Sequence, residues 1–290
     1  MKEKNKRILK LVTVLGAILV FVAVMTFGAS AKEFKYSFPE DAADVNVNLN
    51  GRSVLEGEAA IINSVTYVPL RSFSELCGAE SVSWNEKTQA ATVKKYNMKA
   101  EISQNKDYIE ASGRYFYLDN KIKNIDNRLF IPVRDASKLF SLDVSWNPQT
   151  RTVMLKSTNK EFVTGDKFYN SNDLYWLSRI ISAESSGEPL RGKIAVGNVV
   201  INRKDHKNYP NTVYGVIFDR KNGTQFSPVA IGTIYKTPTA ESVIAAKICL
   251  EGYSVSDSIL FFMNPKIATN NWISQNRPFA FRIGNHYFYN

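Results

Sequence analysis

The sequence predicts an α+β protein in two parts: two copies of a strand–helix–hairpin unit in front, and a mainly helical part closed by a small β-hairpin behind. Three observations predict it. Residues 66–84, TYVPLRSFSELCGAESVSW, are answered by residues 129–146, LFIPVRDASKLFSLDVSW. Apolar residues recur at helical spacing over 174–181 and again over 194–200. Residues 279–289 alternate around Gly284-Asn285, a hairpin pattern.

Size and composition agree with two domains. The chain has 290 residues, 44% of them hydrophobic and 22% charged, which excludes disorder over most of its length. It holds only 2 Cys and 2 His, so neither a disulfide-rich scaffold nor a zinc site of four clustered Cys and His fits. Cys77 and Cys249 both lie in apolar helical patterns, and two buried free thiols are expected rather than a disulfide. No glycine-rich phosphate loop or dinucleotide fingerprint is present, and no cofactor is expected.

The chain begins with an export pattern. Lys2, Lys4, Lys6, Arg7 and Lys10 precede an uncharged run from Leu11 to Gly28, and Ala29-Ser30-Ala31 offers a small-x-small cleavage site. Residues 1–31 are therefore expected to be a signal peptide. An uncleaved membrane anchor is the alternative, and it would leave the body outside as well. The formal charge of +10 favours a polyanionic partner. Without residues 1–31, 32 basic residues face 26 acidic ones, and the excess sits behind residue 165. With export and no dense basic patch, nucleic acid is not an expected partner.

In the repeat, Pro69 answers Pro132, Arg71 answers Arg134 and Trp84 answers Trp146, with one residue dropped between the arginine and the tryptophan. Each copy reads as a short strand, a proline, a helix and a hairpin. Residues 100–102 and 108–110 read as a further hairpin between the copies. Repeats of this size complete one another's core. Trp84 and Trp146 have apolar strand neighbours, so packing of the sheet is their expected role; sugar-stacking platforms are the alternative. Arg71 and Arg134 could clamp a carboxylate or serve structural contacts. Residues 46–157 resemble the copper amine oxidase N-terminal domain, found in exported proteins of Gram-positive spore formers. The resemblance implies a wall-association or adaptor role. It does not imply copper, because this half has no His.

The chemistry is expected in residues 172–290. Leu174, Leu177, Ile180, Ile181 and Glu184 share one helical side, with Asn172 as the expected cap and the helix ending near Gly187. A carboxyl at the edge of an apolar face has a raised pKa, which suits a general acid. A hydrogen-bonded helix-end glutamate is the structural alternative. Glu188, four residues on, is a second candidate acid, although its place before Pro189 also suits a turn. A second helix is expected over 190–203, another after Thr237-Pro238, and a short strand at Phe261-Phe262.

Several motifs stand in one order: Ala183-Glu184-Ser185-Ser186-Gly187-Glu188-Pro189, Val199-Val200-Ile201-Asn202-Arg203, Tyr209-Pro210-Asn211-Thr212-Val213, Val216-Ile217-Phe218, Thr224-Gln225-Phe226-Ser227, Phe262-Met263-Asn264-Pro265 and Gly284-Asn285-His286-Tyr287-Phe288. Together they resemble the cell wall hydrolase family of spore-cortex-lytic enzymes. The resemblance implies a lysozyme-like fold and cleavage of the β-1,4 bond from N-acetylmuramic acid to N-acetylglucosamine in peptidoglycan. It also implies Glu184 as the catalytic acid. Ser185-Ser186 departs from the family, which often has arginine there.

Hydrolysis by two carboxylates needs a partner about 5–9.5 Å from Glu184. Asp219, Glu188, Glu241 and Glu251 are available without motif support. A lytic transglycosylase needs no such partner, because the muramic C6 hydroxyl is the nucleophile. Gln225, Ser227, Asn264 and Tyr287 are candidate substrate-binding residues, and Arg191, Lys193 and Arg203 could steer an anionic polymer. The rivals are an N-acetylmuramoyl-L-alanine amidase, which would need a zinc ligand set, a Cys249–His286 peptidase, and a non-catalytic wall-binding or spore-assembly protein. The expected location is secreted, in the cell wall or spore, with membrane contact only if the N-terminal segment stays uncleaved.

Overall fold

The computed structural model describes residues 34–221, 223–268 and 270–290. The expected signal peptide lies outside the described residues. Among them, no helix is long and apolar enough to cross a membrane.

Strands β1 (Ala43–Asp44), β2 (Asn46–Leu49), β3 (Arg52–Val54), β4 (Ala60–Ile62) and β5 (Val65–Pro69) lead into helix α1 (Leu70–Leu76). Next come β6 (Ser81–Asn85), β7 (Ala90–Lys95), β8 (Met98–Ser103), β9 (Tyr108–Ala111) and β10 (Arg114–Tyr117), an antiparallel sheet in spatial order 10-9-8-7-6. Then β11 (Lys123–Ile125), β12 (Arg128–Pro132), helix α2 (Val133–Leu139), β13 (Leu142–Asn147) and β14 (Thr152–Ser157) repeat the first unit. Both helices start directly after an extended proline, whose missing N–H the first turn does not need.

The two units meet around a local two-fold. Strands β5 and β12 pair antiparallel, with Val68 opposite Ile131, its own counterpart in the second unit. The helices then converge, and the rings of Phe73 and Phe140 meet edge to face at 5.9 Å. One core, including Val68, Phe73, Ile102, Ile131 and Leu139, fills the space between the sheets. Completion of one unit by the other is what the repeat predicts.

The back half contains α3 (Gly165–Phe168), α4 (Ser171–Ser185), α5 (Leu190–Asp205), α6 (Val213–Ile217), α7 (Ser227–Ile231), α8 (Ala240–Leu250), β15 (Phe261–Met263), α9 (Trp272–Asn276), β16 (Phe279–Ile283) and β17 (His286–Tyr289). The mixed α+β class expected from the sequence is present. The cap of helix α4 lies two residues before the expected one, because Asn170 accepts from the amides of Asn172 and Asp173, both at 3.0 Å. Likewise Thr239, not Thr237, caps α8. Helices α4, α5 and α8 pack together over Leu177, Ile181, Val199 and Ala246. A side chain at Gly197 would put its Cβ 2.6 Å from Cys249 Sγ and 2.8 Å from Ile181 Cδ1, so only glycine permits this approach.

The halves share a polar junction. Arg114 grips Glu251 through Nε at 2.9 Å and Nη2 at 2.5 Å, with side chains only 15% and 5% exposed. Tyr169 donates to the same carboxylate at 2.6 Å. Lys247 donates to the Gly113 carbonyl, and Tyr253 donates to Asp119 at 2.6 Å. Tyr108, Tyr115 and Tyr117 of the front half pack onto the helical core.

Candidate active site around Glu184

Periodicity places Glu184 on the side of α4 that carries Leu177, Ile180 and Ile181, all fully buried. Glu184 itself is half-buried in the last turn. Its carboxyl has no hydrogen bond or ion pair among the described residues, and desolvation alone pushes its pKa from 4.5 to about 7. A buried carboxyl with no cation beside it keeps its proton near neutrality, as a general acid must.

The other carboxylates considered from the sequence have partners. Glu188 is buried and accepts from the Asn285 backbone amide at 2.9 Å and from its side-chain amide at 3.1 Å. Burial raises the Glu188 pKa, but those hydrogen bonds, with His286 and Lys193 nearby, leave it below its ordinary value. Asp219 accepts from the Lys221 amide at 2.9 Å, within its own turn. Glu241 pairs with Lys193 at 2.6 Å, and Glu251 is held at the junction of the halves.

These contacts pin the turn between α4 and α5. Lys193 also donates to the Glu188 carbonyl. Gly284 has φ +57°, and a Cβ there would lie 1.8 Å from Glu188 Oε2, so glycine is needed for the hairpin tip to close on that carboxylate. Lys193 and Arg203 are buried, at 2% and 5% exposure, and cannot steer a polymer. Arg203 is spent on the Leu260 carbonyl and the rings of Tyr209, Phe226 and Phe261. Arg191 alone of the three is exposed.

The sheet β15-β17-β16 divides the remaining candidates. Phe262, His286 and Phe288 face the helices, and Phe262 lies 5.3 Å from His286 and 6.4 Å from Phe226, centroid to centroid. This run of rings joins the segments carrying Gln225, Ser227 and Asn264 to the hairpin beside Glu188. Gln225 donates to the Gly223 carbonyl and Asn264 accepts from the Lys266 amide, both within their own loops, while Ser227 is exposed at the start of α7. Tyr287 lies on the opposite face, packed with Phe261, Met263 and Tyr289. From the sequence His286 was weighed only as the partner of Cys249 in a peptidase and as part of the last motif. Its Nδ1 is buried without a partner, and burial holds its pKa below the ordinary value against the pull of Glu188. Being one of 2 His in the chain, inside the last motif, was the available signal.

The rival sites have less support. Cys249 Sγ donates to the Ile194 carbonyl at 3.4 Å and burial pushes its pKa up, which holds the thiol protonated. Both cysteines are free. No group of three or more His, Cys, Asp or Glu that could hold a metal occurs among the described residues.

Comparison with known proteins adds to this geometry. Residues 187–289 match the family described as Cell Wall Hydrolase, and residues 48–155 match the copper amine oxidase N-terminal domain. Glu184 precedes the first matched segment by three residues. A spore cortex-lytic enzyme of Bacillus cereus is 38% identical over 120 residues, 41% of this chain and 45% of the relative. One of Bacillus subtilis is 36% identical over 120 residues, 41% of this chain and 38% of the relative. The chain thus spans less than half the length of these curated relatives. Among solved structures, the catalytic domain of the germination-specific lytic transglycosylase SleB from Bacillus anthracis is 37% identical. That match covers 42% of this chain and 97% of the other, with a TM-score of 0.39. The chain therefore carries a cell wall hydrolase domain homologous to the spore cortex-lytic enzymes, behind a copper amine oxidase N-terminal-like domain.

Proposed function

We propose that the protein is an exported peptidoglycan-degrading enzyme of the spore cortex or cell wall, and that it cleaves the N-acetylmuramic acid to N-acetylglucosamine bond as a lytic transglycosylase. In this reading residues 1–31 direct export, residues 46–157 associate with the wall, and residues 172–290 are catalytic. The observation that carries it is the isolation of Glu184: a half-buried carboxyl, raised to about 7 by burial, with no partner of its own. Glu184 protonates the leaving glycosidic oxygen. As that C–O bond breaks, positive charge develops at the muramic C1. The resulting carboxylate takes the proton of the C6 hydroxyl, whose oxygen closes on C1 to form the anhydro ring. One carboxyl gives and regains one proton, and no second carboxylate is required.

Support also comes from the pairing of Glu188, Asp219, Glu241 and Glu251, each committed elsewhere. Gln225, Ser227 and Asn264 are proposed to hold the acetamido and hydroxyl groups of the sugars. Tyr287 fits that role less well, because it packs on the far side of the sheet. The test is the clearing of purified cortex and vegetative peptidoglycan suspensions by residues 32–290. Clearing by the parent but not by Glu184→Gln is expected; equal clearing by both would overturn Glu184 as the acid.

A further inference from the structure

Trp84 and Trp146 are not sealed into the sheets as their strand neighbours suggest. They are 40% and 41% exposed, nearly equal at equivalent positions of the two units. Each stands opposite a buried residue in an antiparallel pair, Ala91 or Val153, and so lies on the core-facing side of its strand. Each ring is left open there, beside the start of its unit's helix. Single exposed hydrophobic residues are commonplace. Two large rings left open in the same way by a duplicated unit are a repeated feature.

Each tryptophan lines a groove, and the grooves correspond at several positions. The first is lined by Pro69, Arg71, Val82 and Trp84, together with Asn127 and Leu129 from the second unit. The second is lined by Pro132, Arg134, Val144 and Trp146, together with Ser64 and Thr66 from the first unit. The exchange follows from the two-fold between β5 and β12, because each unit's strand reaches the other unit's helix. Neither groove is complete without both copies. The guanidinium of Arg71 reaches only the exposed Glu75 at 3.8 Å, and Arg134 has no ion pair among the described residues.

We propose that these grooves are a pair of corresponding binding sites for the amino-sugar rings of peptidoglycan glycan strands. The open indole face stacks on a pyranose ring, and the arginine reaches a lactyl, acetamido or stem-peptide oxygen. Stacking and a planar donor, joined in the second groove by the carboxylates of Asp119, Asp135 and Asp143 as acceptors, suit a polymer of rings bearing hydroxyl and acetamido groups. The two sites are unequal. The second groove has a volume of about 890 Å³ and the first about 240 Å³, where Tyr36 stands with Arg128 over its ring at 5.6 Å. The second groove is the principal site. Asp119 on its rim accepts from Tyr253 of the hydrolase half, so glycan held there is held next to the helical domain.

This inference rests on the wall-associating part of the proposed function, and its test separates binding from cleavage. Residues 32–290 carrying Glu184→Gln are sedimented with purified insoluble peptidoglycan, alone and with Trp84→Ala, Trp146→Ala or both. The double variant is expected to bind at least about tenfold more weakly, with Trp146→Ala costing more than Trp84→Ala. Trp146→Phe, which keeps an aromatic face, is expected to restore most of the binding and guards against misfolding. In parallel, with Glu184 intact, the double variant should clear insoluble peptidoglycan more slowly than the parent. Binding by the folded double variant within twofold of the parent overturns the proposal. Tryptophan-dependent sedimentation without any cleavage by the parent overturns the enzymatic reading and leaves the binding sites standing.

Discussion

Burial of one carboxyl sets up an opposition between stability and function at Glu184. Below pH 4.5 the group is protonated folded or unfolded, and burial costs nothing. Between about 4.5 and about 7 the native state keeps a proton that the unfolded chain has released, so stability falls as pH rises. Above about 7 the full penalty applies. Glu184→Gln is therefore expected to stabilise the fold by about 1–3 kcal/mol at pH 8 and by nothing at pH 4, measured by denaturant titration at both values. The same titration predicts that activity falls as pH passes through about 7, where the acid loses its proton. A rate still rising above pH 8 on soluble glycan would contradict Glu184 as the proton donor. Glu184 was legible in the sequence because helical period alone puts position 184 on the side of Leu177 and Ile181. The state of its carboxyl was not legible, because that depends on which groups from distant segments pair with it, and among the described residues none does.

At the scale of elements, the turn after Glu184 is held from afar. Glu188 and Asn285 are 97 positions apart, and no local pattern relates them. Their contact needs the bare Cα of Gly284, so Gly284→Ala is expected to displace Glu188 and destabilise the fold by about 2 kcal/mol, read by thermal melting. An unchanged melting temperature would show that the hairpin closes without this contact. Helix and strand identities were readable where period and proline agree, as after Pro69 and Pro132. Helix starts were displaced by two residues at Asn170 and Thr239, because several capping residues crowd each boundary and propensity does not choose among them. Short helices α7 and α9, of five residues each, escaped the reading because one turn carries too little periodicity. The open faces of Trp84 and Trp146 were only the alternative reading, for another reason. Strand alternation predicts the side of a sheet, not how far the covering helix extends.

At the scale of the molecule, the two halves meet through ionised groups taken out of water. Glu251 receives Arg114 and Tyr169 together, and α8, apolar nearly all round, lies against both its own helices and β10. Removing one partner leaves the other charge buried. Glu251→Ala is expected to cost about 3–5 kcal/mol and to split unfolding into two calorimetric transitions, one per half. A single transition at the parental temperature would mean that the junction carries no stability. At this scale the sequence carried two signals, the repeated unit and the order of hydrolase motifs, and residues 48–155 and 187–289 match separate family models. The junction was not legible, since Arg114 and Glu251 read as ordinary charges in their own segments.

The central claim is that one isolated carboxyl cleaves glycan without a second. Mass spectrometry of the soluble fragments released from purified cortex peptidoglycan tests it most directly, with residues 32–290 and the Glu184→Gln variant run side by side. The account predicts 1,6-anhydromuramic ends from the parent and none from the variant. Reducing muramic ends from the parent would contradict it, because water would then be the nucleophile and a second carboxylate would have to activate it.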